Sequence, residues 1–168
     1  LISLSDGGKD AVVIREFDLA SKSFVDDGFT LPEAKSGVTW VDYNTLLVAT
    51  DWGGDGSTLT DSRYPFVVKR WQRGTSLSGA TTLFTGNKAD VGLWPFTQER
   101  DDGTRREGVV VAPTFFTSEY YIFPSGDENI RLPLPEKADI VGLFEGQLIF
   151  TIKQDWTVEI GNNATHYS

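Results

Sequence analysis

Side chains that could form a catalytic triad are scarce in this sequence. A serine hydrolase needs a nucleophile at a strained turn, typically Gly-x-Ser-x-Gly, together with a histidine base and a carboxylate that orients it. The nearest segment, Gly-Thr-Ser-Leu-Ser-Gly at 74–79, has its last glycine one position too late and lies between two predicted strands. The single histidine, His166, stands close to the end of the sequence, where we expect a frayed segment. We therefore expect no catalytic residue in this chain, and by itself it is not predicted to be an enzyme.

One polar segment, residues 51–65, concentrates many of the other side chains that could bind a ligand. Its beginning is similar to a calcium-binding EF-hand loop. At loop positions 3 and 12, however, where oxygen ligands would be needed, the chain has Gly53 and Ser62. Aspartates beside tryptophans could also suggest a glycosidase, although nothing in the spacing places two carboxylates at a working separation. With no cysteine and one histidine, a transition-metal site is not expected. The sequence thus predicts no metal and no cofactor.

The segment 51–65 is nevertheless the strongest candidate for a functional loop. Glycine-rich connections of this length inside a compact domain are often functional, and a flexible connector without a role is the alternative. The candidate residues for a domain interface or a tunnel are Asp51, Trp52, Asp55, Asp61, Arg63 and Tyr64. A second polar segment, 98–107, is a run of mixed charge that predicts a solvated hairpin end.

The composition of the chain disfavours two classes of binding partner, nucleic acids and membranes. With 39% hydrophobic and 23% charged residues, the chain is typical of a globular domain. The net charge of −9 disfavours nucleic acid, because a phosphate backbone requires clustered lysine and arginine. Apolar runs such as 109–113 are too short to cross a bilayer, so no membrane partner is expected. The first residues carry neither an initiator methionine nor a signal sequence, which we interpret as the interior of a longer chain of unknown compartment.

Two families of strand-like segments recur with a period of about fifty residues. Lys-Ala-Asp-Val at 88–91 recurs as Lys-Ala-Asp-Ile at 137–140, and a looser copy begins at Lys35. Independently, residues 12–17 align with 66–71 at a shift of 54, and a further shift of 54 reaches residues 120–123. Two independent families with one period are unlikely to arise by chance, so the chain is predicted to consist of structural repeats.

Each repeat is predicted to hold four strands. Residues 38–41, 45–50, 66–73 and 81–84 are rich in β-branched and aromatic side chains and are bounded by turn residues. No window shows a helical apolar period, so helices should be nearly absent. Four strands per repeat are typical of a β-propeller blade, whereas the alternative, a β-sandwich, needs no such repeat.

We therefore predict an all-β chain that is a β-propeller fragment of about three four-stranded antiparallel blades. The predicted division is a part blade at 1–34, blades at 35–86 and 87–136, and a second part blade at 137–168, with no catalytic domain. A closed propeller usually has about four to eight blades, so strand edges would be exposed and the fragment could associate with itself through them.

Several motifs of the chain are shared with a known family of enzymes. They are SDGGKDA at 5–11, REFDL at 15–19, LPEAKS at 31–36, TLLVATD at 45–51, LTDS at 59–62, YP at 64–65, VKRW at 68–71 and RLPLP at 131–135. With these motifs the chain resembles the N-terminal propeller of bacterial prolyl oligopeptidases, most densely over 5–86. One departure is Arg63, where the family pattern Thr-Asp-Ser-x-Tyr-Pro has glycine.

The resemblance implies a function as well as a fold. In this family a seven-bladed propeller covers an α/β-hydrolase domain that carries the catalytic serine, aspartate and histidine, none of which has a counterpart here. It implies that the chain gates or filters peptide substrates, that its partner is the hydrolase domain of the same parent serine peptidase, and that the 51–65 loop faces that domain or the tunnel. The alternative is a free-standing propeller scaffold that binds a protein or peptide.

Overall fold

The chain is built almost entirely of antiparallel β-strands. In the computed structural model, residues 1–124, 128–160 and 163–167 are described, and the one helical element among them is a turn of 3-10 helix at Leu77–Gly79. Within these ranges no helix has the length and apolar character needed to span a membrane. The prediction of an all-β fold nearly free of helices is confirmed.

The strands of the described residues follow one another along the chain. They are β1 (Ile2–Leu4), β2 (Val12–Arg15), β3 (Phe17–Asp18), β4 (Ser23–Phe24), β5 (Thr30–Ala34), β6 (Gly37–Asp42), β7 (Thr45–Ala49), β8 (Val67–Gln72), β9 (Thr81–Thr85), β10 (Gly92–Glu99), β11 (Arg105–Thr114), β12 (Thr117–Phe123), β13 (Ile130–Arg131), β14 (Ala138–Phe144), β15 (Gln147–Ile152), β16 (Trp156–Ile160) and β17 (Asn163–Tyr167).

These strands form a series of sheets, each of which follows the chain order. Two sheets have four strands, β6-β7-β8-β9 and β10-β11-β12-β13, and they are preceded by β1-β2-β5 and followed by β14-β15. The pairs β3-β4 and β16-β17 are separate hairpins. The two strand families of the sequence repeat correspond to the first strands β6, β10 and β14, and to β2, β8 and β12. Four-stranded antiparallel sheets in this sequential order confirm the predicted propeller-type fold, and the exact division into blades stays a prediction.

The sheets stack face to face, and β7 shows this most directly because all five of its residues are buried. Leu46 and Val48 pack with Ile14, Leu31 and other residues towards the sheet β1-β2-β5. Leu47 and Ala49 belong to a second buried cluster, which reaches Leu93, Val109 and Val111 of the sheet β10–β13. Since side chains alternate between the two faces of a strand, a strand buried on both faces must lie inside a stack of sheets.

We call the space between neighbouring sheets a seam. The first seam lies between β1-β2-β5 and β6–β9, the second between β6–β9 and β10–β13, and the third between β10–β13 and β14-β15. At the second seam the first strands β6 and β10 lie side by side. Gly37 permits this approach, because a Cβ atom there would lie 3.0 Å from the Trp94 ring, and the Thr39 and Thr97 hydroxyls hydrogen-bond across the seam at 3.0 Å.

The two ends of the stack differ in their connections. At one end, the turn end, short connections join β6 to β7 and β10 to β11, the latter through residues 100–104. The hairpin continues to the pair Glu99 and Arg105, and residues 99–105 are exposed, so this part of the mixed-charge run forms the predicted solvated hairpin end. Residues 98, 106 and 107 of the run are half-buried. At the other end, the loop end, residues 50–66 connect β7 to β8 and residues 86–91 lead into β10. The candidate loop therefore lies at the end where one sheet passes to the next.

Candidate functional site

The first half of the candidate loop is a compact turn around one carboxylate. Asp51 follows the buried residue Thr50, and its Oδ2 accepts a hydrogen bond from the Gly56 N–H at 2.9 Å. The backbone N–H of Trp52 donates to the Thr58 hydroxyl at 2.9 Å. These bonds close residues 51–58 into a ring, which gives the first half of the loop a defined shape.

The second half of the loop is fastened to the neighbouring connection. Thr60 is almost fully buried, and its hydroxyl donates to the Val91 carbonyl at 2.8 Å, while the Asp61 N–H donates to the Lys88 carbonyl at 3.0 Å. The Leu93 N–H in turn donates to the Pro65 carbonyl at 3.0 Å. Through these contacts the loop joins the second sheet to the third, and the loop is held on both sides of the second seam.

Arg63 adopts the left-handed backbone conformation that usually belongs to glycine. Its φ is 65°, and its N–H donates to the Thr60 carbonyl at 2.9 Å to close a tight turn. An L-residue in this region carries a steric cost that glycine does not carry. The resemblance implied glycine at this position, and the positive φ gives the physical reason. The turn is formed with arginine nonetheless, and a Cβ atom at Gly56 would lie 3.3 Å from the Arg63 Nη1, so the guanidinium leans over the first half of the loop.

The two aromatic residues of the loop each face a lysine. The half-buried Trp52 donates its indole N–H to the Val67 carbonyl at 3.0 Å, and the Lys69 ammonium lies 4.6 Å from the centre of its ring. Tyr64 packs against Trp94, with ring centres 5.7 Å apart, and the Lys35 ammonium lies 4.3 Å from the centre of the Tyr64 ring. These aromatic rings are therefore fixed in position, each with a cation on one face.

Of the remaining predicted residues, Asp55, Asp61 and Arg63 are exposed. The side chain and backbone N–H of Ser57 hydrogen-bond to Asp55 and lower the pKa of its carboxyl. The structure thus places all six predicted residues on one ordered loop, but Trp52 and Tyr64 contact different neighbours.

Two shallow cavities flank the loop, and each is lined both by predicted loop residues and by residues that the sequence did not single out as site residues. One, of about 240 Å³, lies among Asp10, Lys35, Ser36, Tyr64, Pro65 and Trp94. The other, of about 310 Å³, has Lys35, Asp51 and Arg63 among its lining residues. Lys35 is common to both and forms a salt bridge with Asp10 at 3.4 Å. Lys35 begins the looser copy of the repeated Lys-Ala-Asp motif and lies in the LPEAKS motif, and these were the signals in the sequence for it.

Ser76 and His166, the side chains considered for catalysis, each hydrogen-bond to a nearby hydroxyl. In the part of the chain that the structure describes, no group of three His, Cys, Asp or Glu residues is arranged to hold a metal. Ser76 hydrogen-bonds to Ser78 at 3.0 Å. His166 was expected in a frayed segment, but it lies in β17, which pairs with β16, and its Nδ1 is 3.1 Å from the Thr157 hydroxyl. Fixed aromatic rings, lysines and carboxylates can contact an extended peptide.

Comparison with known proteins connects this geometry with a family. No protein-family model matches the chain. The uncharacterized peptidase y4nA of Sinorhizobium fredii is 43% identical over 166 residues, which are 94% of this chain and 22% of that protein. An uncharacterized peptidase of Rickettsia prowazekii is 29% identical over 169 residues, covering 93% of this chain and 23% of that protein.

A solved structure shares the fold as well as the sequence. The post-proline cleaving enzyme from Rickettsia typhi superposes with a TM-score of 0.81 and 26% identity, covering 92% of this chain and 24% of that enzyme. The chain thus spans less than a quarter of the length of the relatives it matches. The resemblance drawn from the motifs is confirmed: the chain is homologous to a segment of two peptidases and shares its fold with a segment of a post-proline cleaving enzyme, a member of the prolyl oligopeptidase family.

Proposed function

We propose that this chain is a non-catalytic propeller segment that gates or filters the access of peptides to the α/β-hydrolase domain of a prolyl oligopeptidase-like serine peptidase. The observation that carries the proposal is the match to a post-proline cleaving enzyme over 92% of this chain. The catalytic domain of the same parent chain is the proposed partner, and a peptide is the proposed substrate. The catalytic serine, aspartate and histidine lie outside this chain in the proposal.

The loop 51–65 is the proposed contact with the peptide or with the catalytic domain. Three of its features support this role: a shape held by the hydrogen bond that Asp51 accepts and the one that Thr60 donates, two aromatic rings fixed against lysines, and exposed charges at Asp55, Asp61 and Arg63. The acidic character of the whole chain, with a net charge of −9, would favour extended peptides that carry positive charge.

The filter is tested in the full-length protein that contains this chain. The double variant Trp52→Ala and Tyr64→Ala removes both fixed rings, and hydrolysis of a short chromogenic proline peptide is compared with that of a long unfolded peptide. We expect the ratio of kcat/KM for the long over the short peptide to rise severalfold, because the filter is widened. Asp26→Asn, at an exposed turn outside the loop, is the control. An unchanged ratio in the double variant would contradict the proposed filter.

A second candidate function, a free-standing scaffold that binds a protein or peptide, has one observation in its favour. Phe115 and Phe116, at the turn between β11 and β12, are 78% and 83% exposed. Exposed aromatic side chains at a hairpin tip are typical of a protein contact. The gene separates the two candidates: a downstream Gly-x-Ser-x-Gly followed by aspartate and histidine supports the peptidase, and a reading frame that ends soon after Ser168 supports the scaffold.

A further inference from the structure

The third seam contains a cavity with mostly apolar walls. The first and second seams each contain a cluster of buried apolar side chains, six and eight residues respectively. At the third seam, a cavity of about 210 Å³ separates the sheet β10–β13 from the pair β14-β15. Apolar side chains that border unfilled space lack van der Waals contacts on that side, which lowers the stability of the fold. The cavity is therefore a candidate for a site that a ligand fills.

The walls of the cavity are apolar and come from both sheets. They are the half-buried side chains of Phe96, Ile122, Leu132, Ile140, Leu143 and Leu148. Phe96 can lie flat on the sheet because its partner across the strand pair is Gly108, where a Cβ atom would be only 2.3 Å from the ring. The apolar surface within the cavity thus results from a glycine that leaves room for a large ring, and branched aliphatic side chains provide the rest of the wall.

The turn end of the cavity is positively charged. Gln98, Arg100 and Arg106 line it there, next to the hairpin of β10 and β11. Gln98 and Arg106 are cross-strand partners, and Arg100 lies two positions beyond Gln98, so the three side chains project to one face of the sheet. Among the described residues, neither guanidinium forms a salt bridge with a carboxylate. The hydrogen bonds of Thr104 lower the pKa of the Asp102 carboxyl, and the charge of Arg100 adds to that effect. In a chain with a net charge of −9, two arginines at one cavity mouth form a local site for an anion.

From this combination we infer that the third seam binds an aliphatic monocarboxylate, with its hydrocarbon chain between the sheets and its carboxylate at Arg100 and Arg106. The planar guanidinium group suits a carboxylate through paired hydrogen bonds. A volume of about 210 Å³ would hold about seven methylene-sized groups at the ~30 Å³ that one water molecule occupies in the liquid. Octanoate, with seven carbons beyond its carboxyl carbon, matches both the apolar space and the charge. The site lies at the opposite end of the stack from the 51–65 loop and does not depend on the proposed peptidase role.

The probe for the first experiment is octanoate, titrated into the 168-residue chain by calorimetry below the concentration at which micelles form. We expect saturable binding of one octanoate, a higher melting temperature in its presence, and weaker binding of shorter homologues by about fourfold per methylene removed. Octylamine, which has the same chain and the opposite charge, is expected not to bind.

Adjacent arginines provide a matched pair of variants. Arg106→Met removes one cavity guanidinium and should weaken octanoate binding at least about tenfold, as expected for the loss of a charge-assisted hydrogen bond. Arg105→Met is the control, because Arg105 points to the opposite face of β11 and lines a different cavity with Trp40 and Tyr43. Leu148→Trp fills the cavity and should abolish octanoate binding. Ile140→Phe is a second cavity-filling variant, to be used if Leu148→Trp does not fold. A cooperative melting transition shows whether each variant is folded.

Several outcomes would overturn the inference. They are equal effects of Arg105→Met and Arg106→Met on octanoate binding, octylamine binding as strong as that of octanoate, unchanged binding in a folded cavity-filling variant, and no saturable binding at all. Tighter binding of N-acetylleucine than of octanoate would overturn the aliphatic assignment, because it would identify a peptide carboxyl terminus as the occupant.

Discussion

Arg73 and Glu16 form a two-bonded ion pair across the first seam. The Arg73 Nη1 and Nη2 donate to the two carboxylate oxygens of Glu16 at 2.8 and 2.9 Å, and the side chains are only 19% and 10% exposed. Glu16 also accepts the Phe29 N–H at 3.0 Å, and the guanidinium lies over the Phe29 and Tyr43 rings at 4.6 and 4.4 Å. The pair therefore links residues that are 57 positions apart and belong to successive sheets.

Removing one partner of this pair should destabilise the chain strongly. Arg73→Ala leaves the Glu16 carboxylate partly buried without its counter-charge, and we expect a loss of about 3 kcal/mol in the free energy of unfolding. Urea denaturation followed by tryptophan fluorescence measures it. Arg131→Ala is the matched control, because its ion pair with Glu119 is more exposed, at 49% and 26%, and should contribute less than about 1 kcal/mol. Equal losses in the two variants would contradict the structural role of the pair.

The same pair makes stability depend on pH in a defined direction. The hydrogen bond from Arg73 lowers the pKa of Glu16 from its ordinary value of 4.5, more than burial raises it. A carboxyl whose pKa is lower in the folded state stabilises the fold above its unfolded pKa, and that contribution is lost as the pH falls through the folded pKa. In the parent chain the free energy of unfolding should therefore decline as the pH falls below about 5. This decline should be smaller in Glu16→Gln. Urea midpoints across this range measure the slope, and identical slopes in variant and parent would refute the assignment.

Replacing Arg63 by glycine should stabilise the loop. The left-handed conformation costs an L-residue about 1–2 kcal/mol, whereas glycine adds about 0.5–1 kcal/mol of backbone entropy to the unfolded state. We expect Arg63→Gly to raise the free energy of unfolding by about 0.5 kcal/mol on balance. Arg63→Ala is the control: it removes the same guanidinium but keeps the strained backbone, so it should not stabilise. If alanine stabilised as much as glycine, the guanidinium rather than the φ angle would be responsible.

Gly92 should tolerate no side chain. A Cβ atom at Gly92 would lie 2.6 Å from the Tyr64 Cβ, so Gly92→Ala must displace Tyr64 from its packing on Trp94. We expect a loss of about 1–3 kcal/mol in stability, as for other overpacked positions, and a shifted tryptophan emission. Gly79→Ala, where the nearest atom would be at 3.5 Å, is the control and should change neither property. A Gly92→Ala variant with unchanged stability and emission would contradict the packing described for the loop.

The sequence was informative about strands and repeats because these depend on local composition and spacing. The segments 38–41, 45–50, 66–73 and 81–84 correspond to β6 to β9. Trp71, in the predicted strand 66–73, is buried in the first-seam cluster.

The sequence did not show the contacts between residues that are far apart in the chain. The Lys35 and Tyr64 contact, the Thr60 bond to Val91 and the Arg73 pair with Glu16 depend on how two sheets are positioned against each other. No local pattern encodes that arrangement. The 51–65 loop was identified from its length and glycines, but its order arises from the hydroxyls of Thr58 and Thr60, which look like ordinary polar loop residues in the sequence.

The most direct test of the account is hydrolysis of a chromogenic Gly-Pro peptide by this chain and by the full-length protein that contains it, side by side. We expect an active full-length protein and an inert chain, because the catalytic groups are proposed to lie outside the chain. Activity of the chain alone would contradict the non-catalytic role, and inactivity of both would favour the binding scaffold over the peptidase.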